Sequence, residues 1–152
     1  MKYFFILGTN HTLSLAELAA VFSNGKFSLI QKDIAILECE RKIETAIINR
    51  IGGTIKIGSI REEIDSFSIK DILNSIANFA QPEKIGTKFR FGFSYYGKKE
   101  INLKVLAMEF KKLLKQENIS SRWVISREPT LSSVVVEQNK LVTSSGVEIV
   151  II

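Results

Sequence analysis

Among side chains capable of covalent or acid–base chemistry, this sequence holds one histidine, His11, and one cysteine, Cys39. His11 follows the turn residues Gly8-Thr9-Asn10, where a helix-edge or loop position accounts for it without catalysis. Cys39 ends an apolar run and reads as an inert thiol. A lone cysteine excludes an internal disulfide, and one His with one Cys cannot build a zinc cage. Glu62, Glu63 and Asp65 stand close together, but without a histidine or further carboxylates they read as a solvated linker rather than a metal site. Gly8, Gly86 and the pair Gly52-Gly53 are isolated, and neither GxGxxG nor GKS or GKT occurs, so a glycine-built phosphate cradle is missing. With no set of nucleophile, base and oxyanion donors, the chain by itself reads as non-catalytic.

The chemistry that remains is electrostatic. From Met1 to Ala80 there are nine basic and nine acidic residues, whereas Gln81 to Ile152 carries twelve basic and seven acidic, so the whole net charge of +5 lies in the second half. Clustered Lys and Arg raise the local potential and attract phosphates, which points this half at a polyanion. The sequence has no apolar run near the roughly 18–20 residues of a membrane span. The opening MKYFFILGTN lacks a small-residue cleavage site. A cytoplasmic location is expected, with no membrane partner.

Elements must position those cations. Tyr3 to Gly8 is a strand, and Ser14 with Glu17 is read as a capping box opening a helix, with Leu13 and Leu18 as its staple. Leu15, Leu18, Ala19 and Phe22 form that helix's inner face, closed by Asn24-Gly25. Phe27 to Ile30 and Ile34 to Cys39 are strands in a hairpin-like pair. Ile43, Ala46, Ile47 and Ile51 recur at helical spacing up to Gly52-Gly53, and Thr54 to Ile60 is a strand again. This βαββαβ order predicts a ferredoxin-like domain over residues 1–64, with two helices on one face of a four-stranded antiparallel sheet.

A second unit is expected over residues 65–152. Ser68 and Asp71 cap a helix with Phe67 and Ile72 as staple positions; Ile69, Ile72, Leu73, Ile76 and Ala80 face inward and Pro82 lies past its end. From Lys88 to Tyr96 the residues Phe89, Phe91, Phe93 and Tyr95 alternate with Lys88, Arg90, Gly92 and Ser94. That pattern predicts a strand with an aromatic inner row and a basic, sterically open outer face. Leu103, Leu106, Ala107, Phe110, Leu113 and Leu114 give a long amphipathic helix with Lys104, Lys111 and Lys115 flanking its apolar stripe. Arg122 to Ser126 and Gly146 to Ile152 are strands, with Trp123 read as a core residue. Leu131 to Lys140 is open between a strand, which Val134-Val135-Val136 favours, and a short helix capped by Ser132 or Ser133. The last strand is apolar enough to predict either a central position or a cut from a longer protein, and the cut is favoured.

Seven segments together resemble the N-terminal half of archaeal-type tRNA guanine N2-methyltransferases. They are YFFILGTNHTLSLAELAAVF (Tyr3–Phe22), IGGTIKIGSI (Ile51–Ile60), FGFSYYGKK (Phe91–Lys99), FKKLLK (Phe110–Lys115), SRWV (Ser121–Val124), LSSVVVEQNKL (Leu131–Leu141) and GVEIVII (Gly146–Ile152). In that family a ferredoxin-like domain and a THUMP domain precede a Rossmann-type methyltransferase domain, so the resemblance implies an α+β chain whose second domain is an α/β THUMP RNA-binding domain. It also implies a short helix within Leu131 to Lys140. The family's Asp/Asn-Pro-Pro-Tyr signature is absent, since Pro82 and Pro129 are the only prolines, and so is its S-adenosylmethionine-binding glycine loop. No cofactor is therefore expected in this chain; S-adenosylmethionine is implied for the parent enzyme only.

The expectation that follows is a tRNA-binding module that positions tRNA for a methyltransferase domain in cis or in trans. The alternatives are a stand-alone THUMP adaptor and a ferredoxin-like dimerisation or regulatory module without RNA. Expected RNA contacts are Lys88, Arg90, Lys98, Lys99, Lys104, Arg122 and Arg127, with Ser132, Ser133, Asn139 and Lys140 from the segment matching the family.

Overall fold

Extended, β-branched and aromatic residues at the start of the chain form β1 (Lys2–Leu7), which pairs antiparallel on both sides, with β3 (Ile34–Glu38) and β4 (Thr54–Ser59). A computed structural model of the protein describes residues 1–65, 67–79 and 88–152. It divides the chain into two compact units, Met1–Glu63 and Ile64–Ile152. In the first, β2 (Lys26–Gln31) joins β3 through the Lys32-Asp33 turn, giving a four-stranded antiparallel sheet in the order β2-β3-β1-β4. Tyr3, Phe5, Leu7, Ala35 and Leu37 meet Leu18 and Ile51 in the core, and Phe5, Phe22 and Phe27 form an aromatic triangle with centroids 5.7–6.4 Å apart.

Helix α1 (His11–Val21) starts earlier than the Ser14–Glu17 spacing suggests. Asn10 is the N-cap, its Oδ1 accepting from the Leu13 amide at 3.2 Å. Ser14 thereby falls inside the helix, buried, and its hydroxyl donates to the Asn10 carbonyl at 2.8 Å. Leu13 is 66% exposed and does not serve as the staple expected of it, and Ala19, expected on the inner face, is exposed. The carboxylate of Glu17, freed from capping, instead accepts from the amides of Gly52 and Gly53 at 2.9 and 2.8 Å. Gly53 must be glycine for this closure, because a Cβ there would lie 2.6 Å from the Ser14 hydroxyl oxygen and 2.8 Å from its Cα.

The helix expected over Ile43 to Ile51 is only a 3-10 turn, Thr45–Asn49. The Tyr3 hydroxyl takes the Ile43 amide at 3.1 Å and holds that residue outside any helix, and Gly52-Gly53 stops the other end. Too few residues are left for a stable α-helix.

The second unit follows the expected capping chemistry more closely. Helix α2 (Ile69–Phe79) opens on Ser68, whose hydroxyl donates to Asp71 Oδ2 at 2.5 Å and accepts from the Asp71 amide at 3.1 Å. Ala80, Pro82 and Gly86 lie outside the described residues. Strand β5 (Phe89–Tyr95) is central in a three-stranded parallel sheet of order β6-β5-β7, with β6 (Ser121–Val124) and β7 (Gly146–Ile151) at its sides. The final strand is thus an edge among the described residues, not a central one. Parallel pairing demands crossovers, and these are α3 (Leu103–Gln116) between β5 and β6 and α4 (Ser133–Gln138) between β6 and β7.

Phe89, Phe91 and Phe93 bury against Ile72, Ile76, Leu106, Phe110 and Leu114 of α2 and α3, the Phe91 and Phe110 rings meeting edge to face at 4.9 Å. Trp123 packs on this same cluster. Val124, Leu131, Val136 and Leu141 form a smaller core on the opposite face of the sheet. Both α3 and α4 end in the same way. The amides of Ile119 and Leu141 reach back to Leu114 and Val136, while Asn118 and Lys140 adopt φ of 58° and 57°. Among the described residues no helix is long and apolar enough to cross a membrane.

Candidate nucleic-acid interface

The sheet of the second unit separates the expected RNA contacts into two groups. Lys88 precedes β5, Arg90 is its second residue, Arg122 is the second residue of β6, and Asn139 and Lys140 end α4 just before β7; all lie at the amino end of the parallel strands. Lys98 and Lys99 follow β5, Lys104 starts α3, Arg127 follows β6, and Ser132 and Ser133 start α4; all lie at the carboxyl end. Seven residues of β5 put about 20 Å between the ends. The cations therefore do not gather at one point.

They are nonetheless uncompensated. Within this unit the one ion pair among the described residues is Glu109–Lys112, at 2.5 Å. None of Lys88, Arg90, Lys98, Lys99, Lys104, Arg122, Arg127 or Lys140 has a carboxylate partner among the described residues, and all but the half-buried Arg90 are exposed.

The outer face of β5 is not open as expected. Gly92 is covered: a Cβ there would stand 2.5 Å from Leu131 Cδ1 and 3.0 Å from Leu141 Cδ1. Ser94 is buried, donating to Glu148 Oε1 at 2.5 Å and accepting from the Leu131 amide at 2.8 Å. Glycine in a strand permits either open space or a close neighbour, and here the neighbour fills it.

At the carboxyl end an open cleft of about 670 Å³ is lined by Tyr95, Lys99, Glu100, Ile101, Asn102 and Leu103. Lys99 Nζ lies 5.5 Å from the centre of the Phe67 ring, which itself lies 6.0 Å from that of Tyr95. Phe67, read as a staple in the sequence, is thus part of this aromatic and cationic corner, a role its spacing to Ile72 does not signal. Asn102 caps α3 by accepting from the Val105 amide at 3.1 Å, and Lys104 adds its charge to the positive end of that helix.

Two of the polar candidates have structural duties. Ser132 caps α4, accepting from the Val135 amide at 3.3 Å, and Asn139 donates through Nδ2 to the Val135 carbonyl at 2.9 Å. His11 begins α1, and Cys39 is half-buried with its thiol donating to the Arg41 carbonyl at 3.2 Å. Comparison with protein-family models, curated proteins and solved structures finds no match to this chain.

Proposed function

We propose that this chain is an RNA-binding module that holds tRNA for a methyltransferase domain outside it, as in the archaeal-type tRNA guanine N2-methyltransferases its segments resemble. The observation that carries this reading is the set of eight Lys and Arg side chains in the second unit that lack carboxylate partners among the described residues. Charges without carboxylate partners keep their attraction for a sugar-phosphate backbone. Ferredoxin-like and THUMP domains are the finer reading of the two units. The order β2-β3-β1-β4, antiparallel throughout, supports the first, although a 3-10 turn stands where that plan has its second helix. The short α4 within Leu131 to Lys140 supports the second.

In this reading Lys and Arg fix register on the phosphates, and the shape of the folded RNA supplies selectivity. Methyl transfer belongs, in this reading, to the separate methyltransferase domain, since the sequence has no glycine loop for S-adenosylmethionine. If about four phosphates are neutralised, log affinity for a tRNA transcript falls against log salt with a slope near −3. Filter binding between low and physiological salt measures it. Absence of binding at low salt, a flat salt response, or unchanged affinity after R90E, K99E and R122E together would each remove the proposal.

A further inference from the structure

The amino end of the parallel sheet has a feature that general basicity does not require. Arg90 of β5 and Arg122 of β6 are direct register partners, so both side chains leave the same face of adjacent strands about 4.8 Å apart. Like charges placed side by side repel, and neither arginine has a carboxylate within ion-pairing distance among the described residues. On the other flank of Arg90 the register partner is Gly146, which contributes no side chain. A Cβ at Gly146 would lie 2.5 Å from the Lys140 carbonyl oxygen and 3.2 Å from that of Arg90, so the Lys140 backbone lies beside the Arg90 strand at this end of the sheet. Lys140 sits there with φ of 57°, a conformation that glycine or asparagine adopts more easily. In the neighbouring loop the Thr143 hydroxyl donates to the Lys140 carbonyl at 2.8 Å and lies 3.3 Å from the Ser145 hydroxyl, and the Arg90 amide donates to the Ser145 carbonyl at 3.0 Å.

The carboxyl end is different. None of Lys98, Lys99, Lys104 and Arg127 has a strand register partner, and Lys99 Nζ lies 5.5 Å from the centre of the Phe67 ring.

We infer that Arg90, Arg122 and Lys140 form a phosphate-binding corner, in which the two guanidinium forks grip the non-bridging oxygens of one phosphate and Lys140 adds a point charge. Arginine suits this task because its planar fork matches phosphate oxygens in pairs. An anion between the forks turns the Arg90–Arg122 repulsion into two charge-assisted contacts. The inference rests on the RNA reading for the source of that phosphate, a backbone phosphodiester, whereas the pairing of Arg90 with Arg122 comes from strand register.

The test uses the full chain with two probes, an unmodified tRNA transcript and inorganic pyrophosphate. R90Q/R122Q is expected to weaken tRNA binding tenfold or more and to flatten the salt slope by about two. K98Q/K99Q, which removes two charges outside the corner, should lose no more than about threefold, the effect of non-specific attraction alone. R122K, at an exposed position that leaves the fold undisturbed, should keep the salt slope and still lose affinity, since it retains charge without the fork. Pyrophosphate should shift the side-chain Nε–H resonances of Arg90 and Arg122. Should wild type bind tRNA while R90Q/R122Q binds equally well, or should K98Q/K99Q lose as much, the corner is overturned and the RNA reading stands. Pyrophosphate shifts at both arginines without tRNA binding support the corner and overturn the RNA reading. Silence toward both probes overturns both.

Discussion

Glu17 accepts from the amides of Gly52 and Gly53, and these two bonds hold its carboxyl below the ordinary value of 4.5. A carboxylate with a lowered folded-state pKa stabilises the protein fully above its unfolded value and loses that contribution as pH falls through the lowered one. Urea midpoints of wild type and E17Q should therefore differ at neutral pH and converge on acidification below about 4.5. At Gly53 an added methyl meets Ser14 backbone and side chain, so Gly53→Ala should cost about 1–3 kcal/mol in the same measurement. Ser94→Ala removes both the Leu131 and the Glu148 bonds from a buried site, and a loss of about 1–3 kcal/mol is expected. Its circular-dichroism melt checks this. The roles of these three residues were not legible from spacing, which read Glu17 as half of a capping box, because their hydrogen-bond partners lie 35 to 54 positions away.

At the scale of elements, capping tells apart two helices that look alike in sequence. Both Ser14-x-x-Glu17 and Ser68-x-x-Asp71 match a capping pattern, yet only the second caps. Asn10, four residues upstream of Ser14, offers a side-chain oxygen at the point where β1 turns, and the helix starts as early as it can. Asn10→Ala should lower stability by about 1 kcal/mol. The two matching helix ends make a further comparison: Asn118 fills the left-handed position after α3 comfortably, whereas Lys140 fills the one after α4. Lys140→Gly should raise thermal stability by about 1 kcal/mol and, under the phosphate-corner proposal, weaken tRNA binding. A more stable protein with undiminished binding would speak against Lys140 as a contact. At β2, the register shift between Leu29 and Gln31 leaves an irregular edge, a feature that works against the pairing of edge strands between copies.

For the whole molecule, composition and period carried the reading as far as patterns that repeat locally. The alternation of Phe89, Phe91 and Phe93 and the stripe of Leu106, Phe110 and Leu114 are local, and each appears in the structure as an inner face, while the charge excess of the second half stays mostly on exposed side chains. Such patterns survive because burying an apolar row dominates the energy of an element whatever its neighbours. What only the tertiary structure decided is which element lies beside which. The filling of the space over Gly92 by Leu131 and Leu141 and the shortening of the Ile43 to Ile51 segment both depend on partners distant in sequence. The same holds for the cations: their number is written in the chain, but the parallel order β6-β5-β7 sends them to opposite ends of one sheet and sets Arg90 beside Arg122. Strand register is a long-range property, fixed by pairing rather than by composition, and it is register that turns a count of charges into a site.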